Sequence, residues 1–144
     1  MLTALDVAKW FLAFTDENED EVLTNLKIQK LLYYAQGTHL ALTNTPLFDE
    51  PIEAWQHGPV VRTVYDTYRH YGSTPIPRDV PLCTFTKEEL ETLEDVYSTY
   101  GVFTALALRN LTHTEPPWCN TPRNGVIPLQ AMKDFFLSEL FTDA

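Results

Sequence analysis

Asn25-Leu-Lys-Ile-Gln-Lys-Leu-Leu-Tyr-Tyr-Ala-Gln-Gly37 is the stretch from which the fold is read. Leu26, Ile28, Leu31, Leu32, Tyr33, Tyr34 and Ala35, with Leu40 a little further on, surround most of a helical cylinder. Thr24 can cap its start, so the pattern predicts a helix running to about Leu42. A helix that is apolar nearly all round must be covered by neighbours, which makes this one the predicted centre of the fold.

Toward the N terminus, Leu5, Ala8, Trp10, Phe11, Leu12 and Phe14 form a helical stripe over Ala4 to Phe14, with Thr3 as its cap. Thr15-Asp-Glu-Asn-Glu-Asp-Glu21 has no apolar residue and reads as an exposed acidic loop. Between Thr43 and Gln56 the helical period lapses, Pro46 and Pro51 intervene, and Ile52, Ala54 and Trp55 suit a short extended piece or hairpin. Gly58-Pro59 then reads as the start of a third helix, because proline fits the first helical position. Val60, Val61, Val64, Tyr65, Tyr68 and Tyr71 continue it to a stop at Gly72.

The prolines between Ser73 and Pro81 make an extended connector. Thr86-Lys-Glu-Glu89 has the form of a capping box, opening a fourth helix that carries Leu90, Leu93, Val96, Tyr97 and Tyr100 and ends at Gly101. Thr104 opens a fifth, to about His113, after which Pro116, Pro117 and Pro122 predict an irregular loop. A sixth spans about Pro128 to Phe141 through Leu129, Met132, Phe135, Phe136 and Leu140. The expected architecture is mostly α, a single domain over residues 1–144 with about six helices and a small extended element near Ile52 to Trp55.

Composition narrows the function. With 144 residues, 44% of them hydrophobic, the chain has the usual size of one domain with its own core. Twenty acidic against ten basic side chains give a net charge of −10, which repels a phosphate backbone and favours a basic protein surface as partner. The N terminus lacks a signal-peptide pattern and no run approaches the roughly 18 apolar residues of a membrane span, so a cytoplasmic protein without membrane contact is expected. Cys83 and Cys119 lie far apart without metal-type pairing, as free thiols in a reducing compartment would.

His39, His57, His70 and His113 form no i,i+4 pair and no cluster with the thiols, so no metal is expected. Cys119 with His113 would make a nucleophile and base, and so a small cysteine hydrolase, only if an orienting acid accompanied them; the sequence identifies none. No phosphate-binding loop is present and no cofactor is called for. The reading is a binding protein rather than an enzyme. Gln29, Tyr33 and Gln36 share one helical face, while Lys27, Lys30 and Tyr34 share the next. Buried, these groups would satisfy backbone in the Pro46 to Pro59 connection; exposed, they would line a groove for a partner. Glu88, Glu89, Glu91, Glu94 and Asp95 give the fourth helix an acidic face, solvated or in contact with a basic partner.

Lys27-Ile-Gln-Lys-Leu-Leu-Tyr-Tyr-Ala-Gln36, Glu53-Ala-Trp-Gln-His-Gly-Pro-Val-Val61 and Leu111-Thr-His-Thr-Glu-Pro-Pro-Trp118 together resemble the Panacea domain family. That family is also described as the antitoxin SocA-like domain, and its phage-encoded members as GepA-type phage-associated proteins. The resemblance runs from about Leu5 to Phe136, with one departure, a second proline before Trp118. It implies a non-enzymatic antitoxin of a toxin-antitoxin system, neutralising a toxin encoded in the adjacent gene by direct contact. The SocA-like branch implies an alternative, an adaptor that delivers its toxin to a ClpXP-type protease. The contact residues expected are Gln29, Tyr33, Gln36, Trp55, His57, His113 and Trp118. Trp55, Pro59 and Trp118 serve either the interface or the fold, since large aromatics dominate both.

Overall fold

In the computed structural model, which describes residues 1–15, 23–78 and 80–141, the chain is mostly α. The elements in order are α1 (Ala4–Phe14), α2 (Asn25–Thr43), β1 (Glu53–Trp55), β2 (Gly58–Val60), α3 (Arg62–Tyr68) with a 3-10 turn at Arg69–Tyr71, α4 (Lys87–Tyr100), α5 (Ala105–Thr112), α6 (Pro116–Cys119) and α7 (Leu129–Phe141). α2 is the axis. It packs against α7, α4, α5 and α1, and Ile28, Leu31, Leu32, Tyr33, Tyr34 and Ala35 have no exposed surface. Burying a Leu or Ile side chain fully is worth about 1.5–3 kcal/mol, so this seam is a main source of stability.

Local signals set the helix starts. Thr24 accepts from the Lys27 amide, Thr104 from the Ala107 amide, and Thr86 with Glu89 closes a reciprocal capping box. Thr3 and Asp6 close a second box at α1, where the sequence predicts only a threonine cap. Thr15 is not part of an exposed loop. It is buried, and its hydroxyl donates to Phe11 O (2.7 Å) at the end of α1. Asp16 to Glu21, the rest of the expected acidic loop, lie outside the described residues.

Two departures from expectation fall at prolines. Gly58-Pro59 does not open a helix. Gly58 takes φ +109, a backbone state closed to most residues, and turns the chain back so that Gly58–Val60 pairs antiparallel with Glu53–Trp55 in the register Ala54 to Pro59. β2 pairs only with β1 among the described residues and so lies at an edge, where a missing N–H is tolerated; α3 starts only at Arg62. Pro116 and Pro117, expected to enforce an irregular loop, instead begin the one-turn helix α6. Their missing N–H groups fall where a helix needs none. This adds a seventh α-helix to the expected six among the described residues. Residues 124–127 run along β1, with Ala54 N donating to Gly125 O (2.8 Å), Asn124 N to Ala54 O (2.7 Å) and Ile127 N to Ile52 O (2.8 Å).

Candidate functional site

α2 carries a buried polar face, and most of it is bonded to the backbone of other segments. Gln36 accepts from Leu47 N (2.7 Å) and donates to Phe48 O (2.8 Å). Gln29 accepts from Val61 N (2.9 Å) and donates to Asn25 Oδ1 (2.9 Å), while Asn25 donates to Tyr65 O (3.2 Å). Lys27 Nζ donates to Gly101 O (2.8 Å) and Lys30 Nζ to Pro59 O (3.0 Å). These bonds position the hairpin β1–β2 and the start of α3 from beneath. Gln29, Tyr33 and Gln36 are therefore not exposed, as a directly contacting groove would require: each is at most 2% exposed. The two amides are instead bonded to the backbone that presents the surface.

The other four expected residues form that surface. Trp55 and Trp118 are half-buried, His57 is exposed and His113 is half-buried. Trp118 Nε1 donates to Trp55 O (2.8 Å), which ties α6 to β1 across 63 positions of sequence. The His113 ring stacks on Trp118 with centroids 4.1 Å apart and 12° between planes. Burial, helped by the charges of Arg109 and Lys30, pushes the His113 imidazole below its usual range, so the stacked ring is neutral at pH 7. Trp55 packs edge-on to Tyr65 (4.9 Å) and donates Nε1 to Glu53 Oε1 (2.9 Å). Arg62 stacks over the Trp55 ring (5.0 Å) and pairs with Glu53 (2.9 Å). Arg109 Nε donates to His57 Nδ1 (3.2 Å), so that ring nitrogen is the acceptor of the pair.

Arg109 and Arg62 were missed as members of the site by sequence reasoning. Each lies on a short helix whose own pattern is unremarkable, and only the hairpin brings them to Trp55 and His57. Between α2, the hairpin and α3 lies a cleft of about 450 Å³, with Lys30 and Gln29 from α2, Trp55 and His57 from the hairpin, and Tyr65 and Arg69 among its lining. Lys30 is wholly buried there, and burial, with the charge of Arg109, pulls its ammonium down to about 7.

A second buried polar group lies further along α2. Tyr34 Oη donates to Glu115 Oε2 (3.0 Å), and its ring stacks on Tyr100 (3.9 Å). Tyr33 Oη and Glu115 Oε1 are buried and make no hydrogen bond among the described residues. Burial pushes the Glu115 carboxyl up to about 7, against the bond from Tyr34.

Cys119 and Cys83 are exposed free thiols. Cys119 Sγ donates to the backbone O of His113 (3.0 Å) rather than to its ring, so the pair has no nucleophile–base geometry here. No cluster of three or more metal-binding side chains and no helix long and apolar enough to cross a membrane occurs among the described residues.

The family model described as "Antitoxin SocA-like, Panacea domain" matches residues 28–119, a span that contains Gln29, Tyr33, Gln36, Trp55, His57, His113 and Trp118. The chain is similar to antitoxin SocA of Caulobacter vibrioides (strain NA1000 / CB15N), 42% identical over 53 residues, which is 37% of this chain and 28% of that relative. The similarity thus spans less than a third of the relative's length. No solved structure matches the chain.

Proposed function

The chain belongs to the antitoxin SocA-like, Panacea domain family, and from that premise we propose that it is a cytoplasmic antitoxin that neutralises a protein toxin encoded in the adjacent gene by binding it. It acts as one domain over residues 1–144, without catalysis or cofactor. The contact surface is the face made by Trp55, His57, His113 and Trp118, with Arg62 and Arg109 beside them. Gln29 and Gln36 contribute by positioning the hairpin and its flanking backbone, and Tyr33 by packing in the interior behind it.

The observation that carries this reading is the Trp118 to Trp55 bond. It joins two remote segments of the matched family region into one half-exposed patch of tryptophan and histidine with arginine beside it, and tryptophan and arginine are residue types that anchor protein interfaces. The test is co-expression of the neighbouring reading frame with this chain in a bacterial host. Growth arrest rescued by the chain, with a co-purifying complex, is the expected outcome; a harmless neighbour that does not bind would remove the reading. His57→Ala, at an exposed position, is expected to keep the melting temperature and weaken the complex.

A second reading, delivery of the toxin to a ClpXP-type protease, is favoured by a second charged surface. Glu88, Glu91 and Asp95 on α4 line a shallow depression with Leu42 and Thr43 at the far end of α2. Lys30 and Thr43 are thirteen positions apart, about 20 Å along the helix axis, so two partners can be held at once. A pulse-chase of the toxin separates the readings: an adaptor shortens its lifetime and a masking antitoxin preserves it.

A further inference from the structure

The surface of this acidic chain is not acidic everywhere. Five of its ten Lys and Arg residues, Lys30, Arg62, Arg69, Arg109 and Arg123, lie in or beside the cleft and the tryptophan patch. The described residues lining the cleft include Lys30, His57 and Arg69 and no carboxylate. Among the described residues, the neighbouring carboxylates Glu53 and Asp66 are already engaged, Glu53 with Arg62 (2.9 Å) and Asp66 with Arg69 (4.0 Å).

Lys30 is the decisive group. An ammonium carries three donors, and the described residues give this one a single acceptor, Pro59 O. It is nevertheless fully buried at the edge of a 450 Å³ cleft, a volume in the range of ligand pockets. A buried charge whose described surroundings hold no counter-ion is costly, and one placed beside a cleft is stabilised by an anion that enters it. The walls say which kind. Trp55 and Tyr65 offer apolar faces, and Gln56 and Asn124 offer amides that match peptide N–H and C=O groups. A polyphosphate or nucleic acid would bring many charges against a net −10 field, whereas a carboxylate on a polypeptide brings one.

We propose that this cleft is a recognition pocket for a carboxylate borne by an extended polypeptide segment, with Lys30 and Arg69 as its counter-ions and Trp55 and Tyr65 holding the flanking chain. As the partner pocket of the proposed antitoxin, it deepens that reading: the toxin segment that enters is acidic, although the chain's overall charge favours a basic partner.

The test selects a displayed library of random dodecapeptides on the purified protein, then measures synthetic copies of the enriched peptide by calorimetry. Expected are sequences that depend on an Asp, a Glu or a free C-terminal carboxylate; replacing that side chain by its amide, or amidating the terminus, identifies which carboxylate is read. Lys30→Met is expected to weaken binding roughly tenfold or more, as loss of a charge-assisted bond does. If Lys30→Met fails to fold, Arg69→Gln at an exposed position gives the same reading with a smaller loss. Enrichment of neutral or basic peptides, no enrichment, affinity unchanged by both substitutions, or equal competition by inorganic phosphate would overturn the proposal. Growth rescue by the same variants separates the two levels. Rescue without acidic-peptide binding leaves the antitoxin standing and removes the pocket, while acidic-peptide binding beside a harmless neighbouring gene product does the reverse.

Discussion

Lys30 and Glu115 are two buried ionisable groups against the same helix, and the chain treats them differently. Around Lys30, neighbouring polar groups of α2 are bonded to the backbone between Leu47 and Val61: Gln29 to Val61 N, Gln36 to Leu47 N and Phe48 O, Lys30 itself to Pro59 O. Around Glu115, one carboxylate oxygen takes the Tyr34 hydroxyl while the other, and the Tyr33 hydroxyl, go unmatched among the described residues. The first region is a scaffold, in which side chains replace missing secondary structure over a long connection. The second is a locally unsatisfied group that the surrounding packing holds in place. Removing a polar group should therefore be expensive in the first region and nearly free at some positions of the second.

Gln36→Leu breaks the scaffold most severely. It removes one bond to Leu47 N and one to Phe48 O, leaving a buried backbone donor and acceptor exposed to neither water nor partner. At about 1–3 kcal/mol for each group, a loss of about 3–5 kcal/mol is expected, read from the midpoint of urea unfolding. A loss under about 1 kcal/mol would mean that the connection from Leu47 to Phe48 finds other partners, and the contrast with Glu115 would fail.

Gly58→Ala attacks the same region through the backbone. An alanine there would have to hold φ +109, and its Cβ would stand 2.7 Å from Lys30 Cε and 2.9 Å from Thr112 Oγ1. Left-handed strain plus overpacking predicts about 2–4 kcal/mol of destabilisation and a shifted hairpin. Near-ultraviolet circular dichroism, which sees the Trp55 and Tyr65 pair, should change with it.

That position also shows how far the sequence can be read. The capping box at Thr86 to Glu89 and the caps at Thr3, Thr24 and Thr104 were legible because a cap is set by residues three or four apart. The mostly α class followed from the apolar girth of α2. Gly58-Pro59 was read as a helix start because that dipeptide fits a helix N terminus and a hairpin return equally well; pairing with Glu53–Trp55 and residues 124–127 decides between them. Pro116-Pro117 misled in the opposite sense, since the same residues that stop a helix can begin one. Of the expected site, Trp55, His57, His113 and Trp118 do come together, while Gln29, Tyr33 and Gln36 turn inward. Periodicity places residues on one face, but which face is buried depends on loops remote in sequence. Glu115 had no local signal at all: its tyrosine partner Tyr34 is 81 positions away.

The two buried ionisable groups should also oppose one another in pH. Glu115, raised to about 7 from an ordinary 4.5, holds more protons folded than unfolded, so its contribution is full below 4.5 and is lost as pH rises through 7. Lys30, lowered to about 7 from 10.5, holds fewer protons folded, so its contribution is full above 10.5 and is lost as pH falls through 7. The shifts set ceilings of about 3 kcal/mol for Glu115 and about 5 kcal/mol for Lys30, giving these two groups a shared minimum near neutrality. Urea midpoints measured from pH 4 to 10 should show Glu115→Gln removing the fall on the acid side and Lys30→Met removing the rise on the alkaline side. A profile identical in Glu115→Gln and the parent would mean that the carboxyl reaches solvent.

The smallest effect gives the sharpest comparison, because it sets neighbouring residues of one type against each other. Tyr33 and Tyr34 are both wholly buried, with rings packed edge to face 5.0 Å apart, and both approach Phe136. Among the described residues only the Tyr34 hydroxyl reaches hydrogen-bond geometry, on Glu115 Oε2 at 3.0 Å, while the Tyr33 hydroxyl lies near the same carboxyl without doing so. Tyr34→Phe removes that bond and leaves both carboxylate oxygens unmatched, so it should cost about 1–2 kcal/mol and raise the Glu115 pKa further. Tyr33→Phe removes a hydroxyl that is desolvated without compensation; the ring and its contacts stay, and the expected change lies between zero and a stabilisation of about 1 kcal/mol. Equal losses in the two variants would show that the Tyr33 hydroxyl also bonds Glu115 in solution, making the carboxylate end of α2 as fully matched as the amide end.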